Sequence, residues 1–302
     1  MGTLDVVWVD TEQIRYNRNM TIYDYSSLDD LPTSAPGAGQ LPPSNKKYIL
    51  VIGVFVFVSI IVNFVLIQGF FERTSPVTFD SIFPFLVVNA IFAMVIIGVY
   101  IQQRLHVAEG KKLLKFAEMN NLELIFDETP STHVGVIFRA GLDRLIRSGL
   151  RSSAQGKRFE LGVYRHVIGH GKGARSYRYT FLMVDTTHQF PAMLFHNRQV
   201  KRWLVFGQIS WLVRAALSKL TPTNPAITQR YKVYATETGV SGDQISQVGA
   251  IDTILQQYAN EYSFETNNNK LYVYKRGADS LSKQATLQKW LSLANELTRQ
   301  LG

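Results

Sequence analysis

The sequence predicts an α+β cytosolic domain attached to a two-helix transmembrane hairpin. Three observations lead there: two long apolar stretches free of charge, a C-terminal region where strand and helix patterns alternate irregularly, and an uneven spread of basic residues. Tyr48 to Phe71 runs 24 residues without a charged side chain, and Ser81 to Gln102 runs 22. Each exceeds the ~20 apolar residues a helix needs to cross the hydrocarbon core. The first begins too late and runs too long for a secretory signal.

Residues 1–47 precede the first stretch and read as a disordered tail. Their end, "PTSAPGAGQLPPSNK", is rich in proline, glycine and serine and buries too little apolar surface to order itself. Up to Ser44 the tail carries six acidic and two basic side chains. Its aromatic and acidic part reads either as a solvated segment or as a peptide that docks on a partner or on this chain's own basic domain. The opening "MGTLDV" has Val6 where a myristoylation signal requires serine or threonine.

Basic residues set the expected orientation of the hairpin, 48–71 and 81–102. Lys46 and Lys47 precede it and Arg104, Lys111, Lys112 and Lys115 follow, whereas the connecting "ERTSPVTFD" holds only Arg73. Six against one predicts a multi-pass protein of the plasma (inner) membrane with both termini in the cytosol and the lipid bilayer as a partner. Asn63 lies eight residues before Phe71 and Asn89 eight after Ser81. In an antiparallel pair their amides fall at one depth, where each supplies the partner that the other needs.

Residues 103–302 hold 27 basic and 15 acidic side chains. "TPTNP" divides them into 103–220 and 230–302. The stretch to about Asn120 extends the second helix, with Leu113, Leu114 and Ala117 on one face. "LELIFDE" then reads as a strand and "PSTHVG" as a loop. "GLDRLIRSGLR" (141–151) fits a helix, since Leu142, Leu145, Ile146 and Leu150 fall on one face and Arg144, Arg147 and Arg151 on the other.

Next comes "ELGVYRHVIGHGKGARSYRYTFLMV" (160–184). Phe159, Leu161 and Val163 alternate, as do Tyr177, Tyr179, Phe181 and Met183, so two strands flank a glycine-rich tip. A phosphate loop needs a helix after its lysine, and here Lys172 precedes Gly173 and a strand. His166 and His170 share no helical face and no intervening carboxylate, which leaves the zinc reading without support. The tip holds Lys172, Arg175 and Arg178 and no acid, so its work is electrostatic.

"FPAMLFHN" (190–197) reads as a further strand. The segment 201–220, with two tryptophans but also Gln208 and Arg214, reads as a buried element or an interfacial helix. "YKVYAT" alternates like a strand. Ile245, Val248, Ile251, Leu255 and Tyr258 make a helical stripe, and "YSFETNNNKLYVY" reads as two strands joined through its asparagines. A final helix over Ser280–Leu301 turns Leu287, Leu291, Ala294 and Leu301 inward.

The chain has no cysteine, which excludes disulfides, thiol nucleophiles and thiolate metal sites, and no residue set implies a cofactor. The net charge of +9 favours anionic partners. The expected function is a non-enzymatic, membrane-anchored interaction or scaffold module. Its basic face, Arg144, Arg147, Arg151, Lys172, Arg175 and Arg178, would meet anionic lipid or an acidic protein. A membrane-tethered nucleic-acid binder is the alternative, from the mixed arginine and tyrosine at 175–179. A hydrolase using Asp185, His188 and His196 is the third reading, without a nucleophile motif.

"LLKFAEMNNLEL", "FELGVYRHVIGHGKGARSYRYTFLMV", "FPAMLFHN", "YKVYAT" and "LQQYANEYSFETNNNKLYVYKR" together resemble an uncharacterised family of bacterial membrane-anchored proteins. Members of that family combine two transmembrane helices with a cytosolic α+β domain of unknown function. The resemblance spans about Leu113–Arg276 and is most specific at the hairpin; segment 201–220 and the acidic tail depart from it. It implies a bacterial plasma-membrane protein and no catalytic residues.

Overall fold

The computed structural model describes residues 23–29, 53–54, 56–64, 68, 79–152, 158–198, 217–222, 224–241, 244, 249–259 and 261–301. The chain divides into two compact units, Met1–Asp30 with Leu113–Gly302, and Leu31–Lys112.

In the larger unit, seven strands form one antiparallel sheet: β1 (Glu123–Glu128), β2 (Leu142–Ser152), β3 (Phe159–Ile168), β4 (Arg175–Asn197), β5 (Ser218–Leu220), β6 (Tyr231–Ala235) and β7 (Ser263–Arg276). Its path is β1-β2-β3-β4-β6-β5, with β7 on the far edge of β4. The organising element is β4, 23 residues long. Its first half pairs with β3 and its last residues with β6, while β7 follows both halves along the opposite edge. Between Asp185↔Lys270 and Phe190↔Asn268 the register slips, so β4 spends five residues where β7 spends two. The extra length bulges, and a bulge bends the strand. Asn268 sits in the left-handed region (φ 52°) at the same corner, a conformation asparagine tolerates.

Two cores follow from the two faces. One face carries Leu161, Val163, Leu182, Val184, Met193, Phe195, Leu271 and Val273. It is covered by α6 (Gln284–Leu301), which buries Leu287, Trp290, Leu291, Ala294, Leu297 and Leu301, and by α5 (Gly249–Gln257) through Ile251, Ile254 and Leu255. Burying such a side chain contributes roughly 1.5–3 kcal/mol, so this helical cover is the largest stabilising block of the fold. The other face holds a smaller, aromatic core of Phe138, Tyr164, Tyr179, Phe181, Tyr272 and Tyr274 with Ile125, Ile137 and Ile146. A one-turn helix, α3 (Val136–Arg139), closes it by burying Val136, Ile137 and Phe138.

Several expectations are corrected. Residues 142–152 form a strand, not a helix. Ile146 and Leu150, four apart, looked like one helical face, yet Ile146 belongs to the aromatic core and Leu150 to the helix-covered core. The register shift between Ile146 and Ser148 switches the face, which period counting cannot anticipate. A Cβ on Gly149 would stand 2.5 Å from the Leu161 carbonyl oxygen, so this glycine permits the close approach of β2 to β3. The asparagines of "TNNNK" bend one continuous strand, β7, rather than reversing the chain between two. "FPAMLFHN" is the second half of β4 and not a separate strand. Ile245 and Val248 lie outside the described residues, as does segment 201–220 except its end, where Ser218–Leu220 pairs with β6 as β5.

The smaller unit contains helical residues at 56–64 and most of α2 (Phe79–Met119), a 41-residue helix. Asn63 and Asn89 exchange two hydrogen bonds: Asn63 Nδ2 donates to Asn89 Oδ1 at 3.0 Å and Asn89 Nδ2 to Asn63 Oδ1 at 2.8 Å. Large apolar side chains of both stretches are exposed, among them Phe57, Ile60, Phe64, Met94 and Ile97. Among the described residues, no helix is long and apolar enough to cross a membrane. This removes the transmembrane hairpin over 48–71 and 81–102, the membrane placement and the plasma-membrane localisation that rested on it. The sequence reading rested on two apolar runs of 24 and 22 residues and on the basic residues beside them. The first stretch is described only at 53–54, 56–64 and 68, and the second is part of a longer element of mixed polarity that includes Asn89, Arg104, Glu109 and Lys111.

Candidate functional site

The β3–β4 hairpin projects an exposed cationic feature of the larger unit. Its ladder runs without a break from Phe159↔Val184 to Ile168↔Arg175, so both strands are rigid up to the tip. The tip turns through Gly169 and Gly171, both at positive φ (86° and 57°), and a single 3-10 turn over Gly171–Gly173. Glycine takes that backbone without a Cβ penalty. Lys172, Arg175 and Arg178 are exposed, and none forms an ion pair with a described acid.

Two further arginines flank the hairpin, on opposite faces of the sheet. The register sets Arg165 directly across from Arg178, and Arg165 is held by Nε donating to Ser176 Oγ at 3.2 Å. Like charges directly opposite on a sheet repel, and a bound anion relieves that repulsion. Arg276 of β7 pairs in register with Tyr179 and is exposed. Alternation within "YRHV" placed Arg165 on a strand, and counting back from the tip would have found its partner. Arg276 is about a hundred residues away in sequence and had no such signal.

The other three arginines make separate contacts within the fold. Arg144 Nη1 donates to the Phe138 carbonyl at 2.9 Å. Arg147 pairs with Asp127 at 2.9 Å. Arg151 reaches Glu123 at 3.3 Å, Glu128 at 2.9 Å and Glu160 at 2.9 Å. The helical stripe expected of them does not exist, because strand geometry and the register shift send them to separate partners.

Beneath the segment 130–139 lies a buried polar cluster that sequence reading missed. Glu265 is fully buried. Val136 N–H donates to both its carboxylate oxygens at 2.9 Å, and Tyr274 Oη donates to Oε2 at 2.8 Å. Burial pushes its pKa up to about 7, against the lowering effect of those two donors and of Arg139. Val134 N–H reaches Tyr272 Oη at 3.4 Å. Glu160, also buried, contacts His133 Nε2 at 2.9 Å. Burial raises the Glu160 pKa, but His133 and Arg151 together outweigh it and hold it below the usual range. Each of these contacts ties α3 and its approach to the sheet. They close α3 over the aromatic core, so the cluster reads as structural.

The expected acid–base set is not assembled. Asp185 pairs with Lys270 at 3.5 Å, His188 Nδ1 lies 3.3 Å from the Leu301 carbonyl oxygen, and His196 stands in register with Lys232. His196 is pushed down to about 4 by burial and then by Lys232, so it is neutral at pH 7. His166 is buried and stacked on Tyr179 (5.7 Å, 13°), whereas His170 is exposed at the tip, so the two share no site. Among the described residues no three histidine, aspartate or glutamate side chains are grouped to hold a metal.

No family model and no curated protein matches the chain. Among solved structures, the mycobacterial trehalose monomycolate transport factor A, TtfA, is similar at a TM-score of 0.38 and 12% identity, covering 64% of this chain and 96% of that one.

Proposed function

We propose that the larger unit is a non-enzymatic interaction module whose basic hairpin receives an acidic segment of a protein partner. The observation that carries this reading is the division among the arginines. Arg147 and Arg151 on β2 are paired with acids of the fold, while Lys172, Arg175 and Arg178 stand exposed on an unbroken ladder with no ion pair to a described acid, and Arg165 is set against Arg178. A tip built only to close a hairpin does not need four cations. The nucleic-acid reading requires exposed rings for stacking. Here Tyr179 is buried and Tyr177 packs on His166 at 5.6 Å, so the tyrosines of the hairpin face the core.

The test is binding of the full chain to a glutamate-rich peptide and, separately, to a single-stranded oligonucleotide of equal charge. The peptide is expected to bind, more weakly as salt rises, and Lys172→Glu with Arg175→Glu and Arg178→Glu should abolish binding without lowering the melting temperature. Unchanged binding by that variant, or preference for the oligonucleotide, would overturn the reading.

A further inference from the structure

The last turn of α2 carries a second binding feature, and part of this chain already lies on it. The helix ends in a left-handed residue, Asn121 (φ 52°), with Leu122 N–H closing back onto the Ala117 carbonyl at 2.8 Å. This fixes Asn120, whose Nδ2 also donates to the Phe116 carbonyl at 2.9 Å. Across 96 residues of sequence, the Asn120 side chain grips the backbone of Asp24 from both sides: Asp24 N–H donates to Oδ1 at 2.7 Å, and Nδ2 donates to the Asp24 carbonyl at 2.9 Å. Tyr25 and Tyr23 pack on the Phe116 ring at 5.4 and 6.3 Å. Tyr23 and Leu28 are buried, while Asp24 and Ser26 face solvent. The Asp24 carboxylate caps α1 (Ser26–Asp29) by accepting from Ser26 N–H at 2.9 Å.

We infer that Phe116 and Asn120, at the end of α2, form a peptide-binding site selective for Tyr-Asp-Tyr-x-x-Leu, filled by this chain's own segment in exchangeable fashion, so that a second copy can supply the same segment. Backbone recognition by a side-chain amide, two aromatic contacts and one leucine anchor are how a peptide groove holds a ligand, and none depends on the segment being covalently attached. The segment adds no strand to the sheet, and its Tyr23 and Leu28 complete the same core that Leu113 and Phe116 enter. Its anchors are two aromatic contacts, one leucine and one side-chain amide, and the same segment of a second copy supplies each of them equally.

The test uses the full chain with Tyr23→Ala and Leu28→Ala, which weaken the resident segment, titrated with a fluorescent peptide of residues 21–30. Saturable binding is expected. The wild-type chain should need roughly a hundredfold more peptide, because its tethered segment competes at an effective concentration of order millimolar. Adding Asn120→Ala removes two hydrogen bonds and should weaken binding about tenfold or more. Tyr25→Ala, at a half-exposed position, is the second weakened chain if the first loses its thermal transition. Absence of saturable binding in a folded variant, equal binding of a scrambled peptide, or indifference to Asn120→Ala would each overturn the inference.

Discussion

Tyr274 donates its hydroxyl to the Glu265 carboxylate at 2.8 Å although the two residues lie nine apart on the same strand. An extended strand would separate them by roughly 30 Å. The bond therefore measures how sharply β7 folds at Asn268, and it places a carboxylate with a pKa of about 7 inside the bend.

That carboxylate makes stability depend on pH in a defined direction. Its folded pKa is raised above the ordinary 4.5, so its contribution is fully present below pH 4.5 and is lost as pH rises through about 7. His166 and His196 act oppositely. Burial depresses both to about 4, so their contribution is present above pH 6.5 and lost as pH falls through 4. Between pH 4.5 and 6.5 the carboxylate offsets one of the two histidines. Glu265→Gln should therefore steepen the rise of stability with pH across that window, and His166→Phe should flatten it. Each change amounts to at most ~3 kcal/mol, from about two and a half pKa units. Urea unfolding at half-unit pH steps measures both slopes; parallel curves for the three proteins would contradict the assignment.

Arg151 and Lys172 were both expected on one basic face, but they stand at opposite ends of the β3–β4 hairpin and their removal should have different consequences. Arg151→Ala leaves Glu160 buried with one of its two partners gone, and breaking a buried pair in this way costs about 3–5 kcal/mol. Lys172→Ala removes a solvated charge and should stay within ~0.5 kcal/mol of wild type. Equal chemical-denaturation midpoints for the two variants would mean that the Arg151 contacts do not persist in solution.

For the amide pair, Asn63→Leu and Asn89→Leu should be non-additive. Each single change takes two hydrogen bonds from the remaining half-buried amide, whereas the double change removes both amides. A coupling of about 0.5–1.5 kcal/mol is expected from a double-mutant cycle. Additive effects would show that the two amides do not meet.

Local chemistry made much of the larger unit legible. Strict alternation placed β3 and the first half of β4, and the glycines with Lys172 and Arg175 marked the tip between them. The stripe Leu287, Leu291, Ala294 and Leu301 placed the inner face of α6. The cations of the tip were readable because a hairpin brings neighbours in sequence together in space. What failed is what depends on distant pairing. Residues 142–152 satisfied a helical period and a strand period at once, and only the ladders to β1 and β3 chose between them. Asn267 to Asn269 favour a left-handed residue in any context, but whether that residue reverses a chain or bends it was decided by β4 running alongside.

The apolar stretches at 48–71 and 81–102 were read from their length and freedom from charge, which do not register the longer helix to which the second belongs. The cluster around Glu265 had no sequence signature, since its members come from segments more than a hundred residues apart and meet only when α3 closes over the sheet. By itself the sequence determined composition, turn chemistry and the periodic faces, because these are properties of neighbours along the chain. Register, burial of charge and the hold of Asn120 on Asp24 belong to the tertiary structure, because each is set by a partner that the local sequence does not contain.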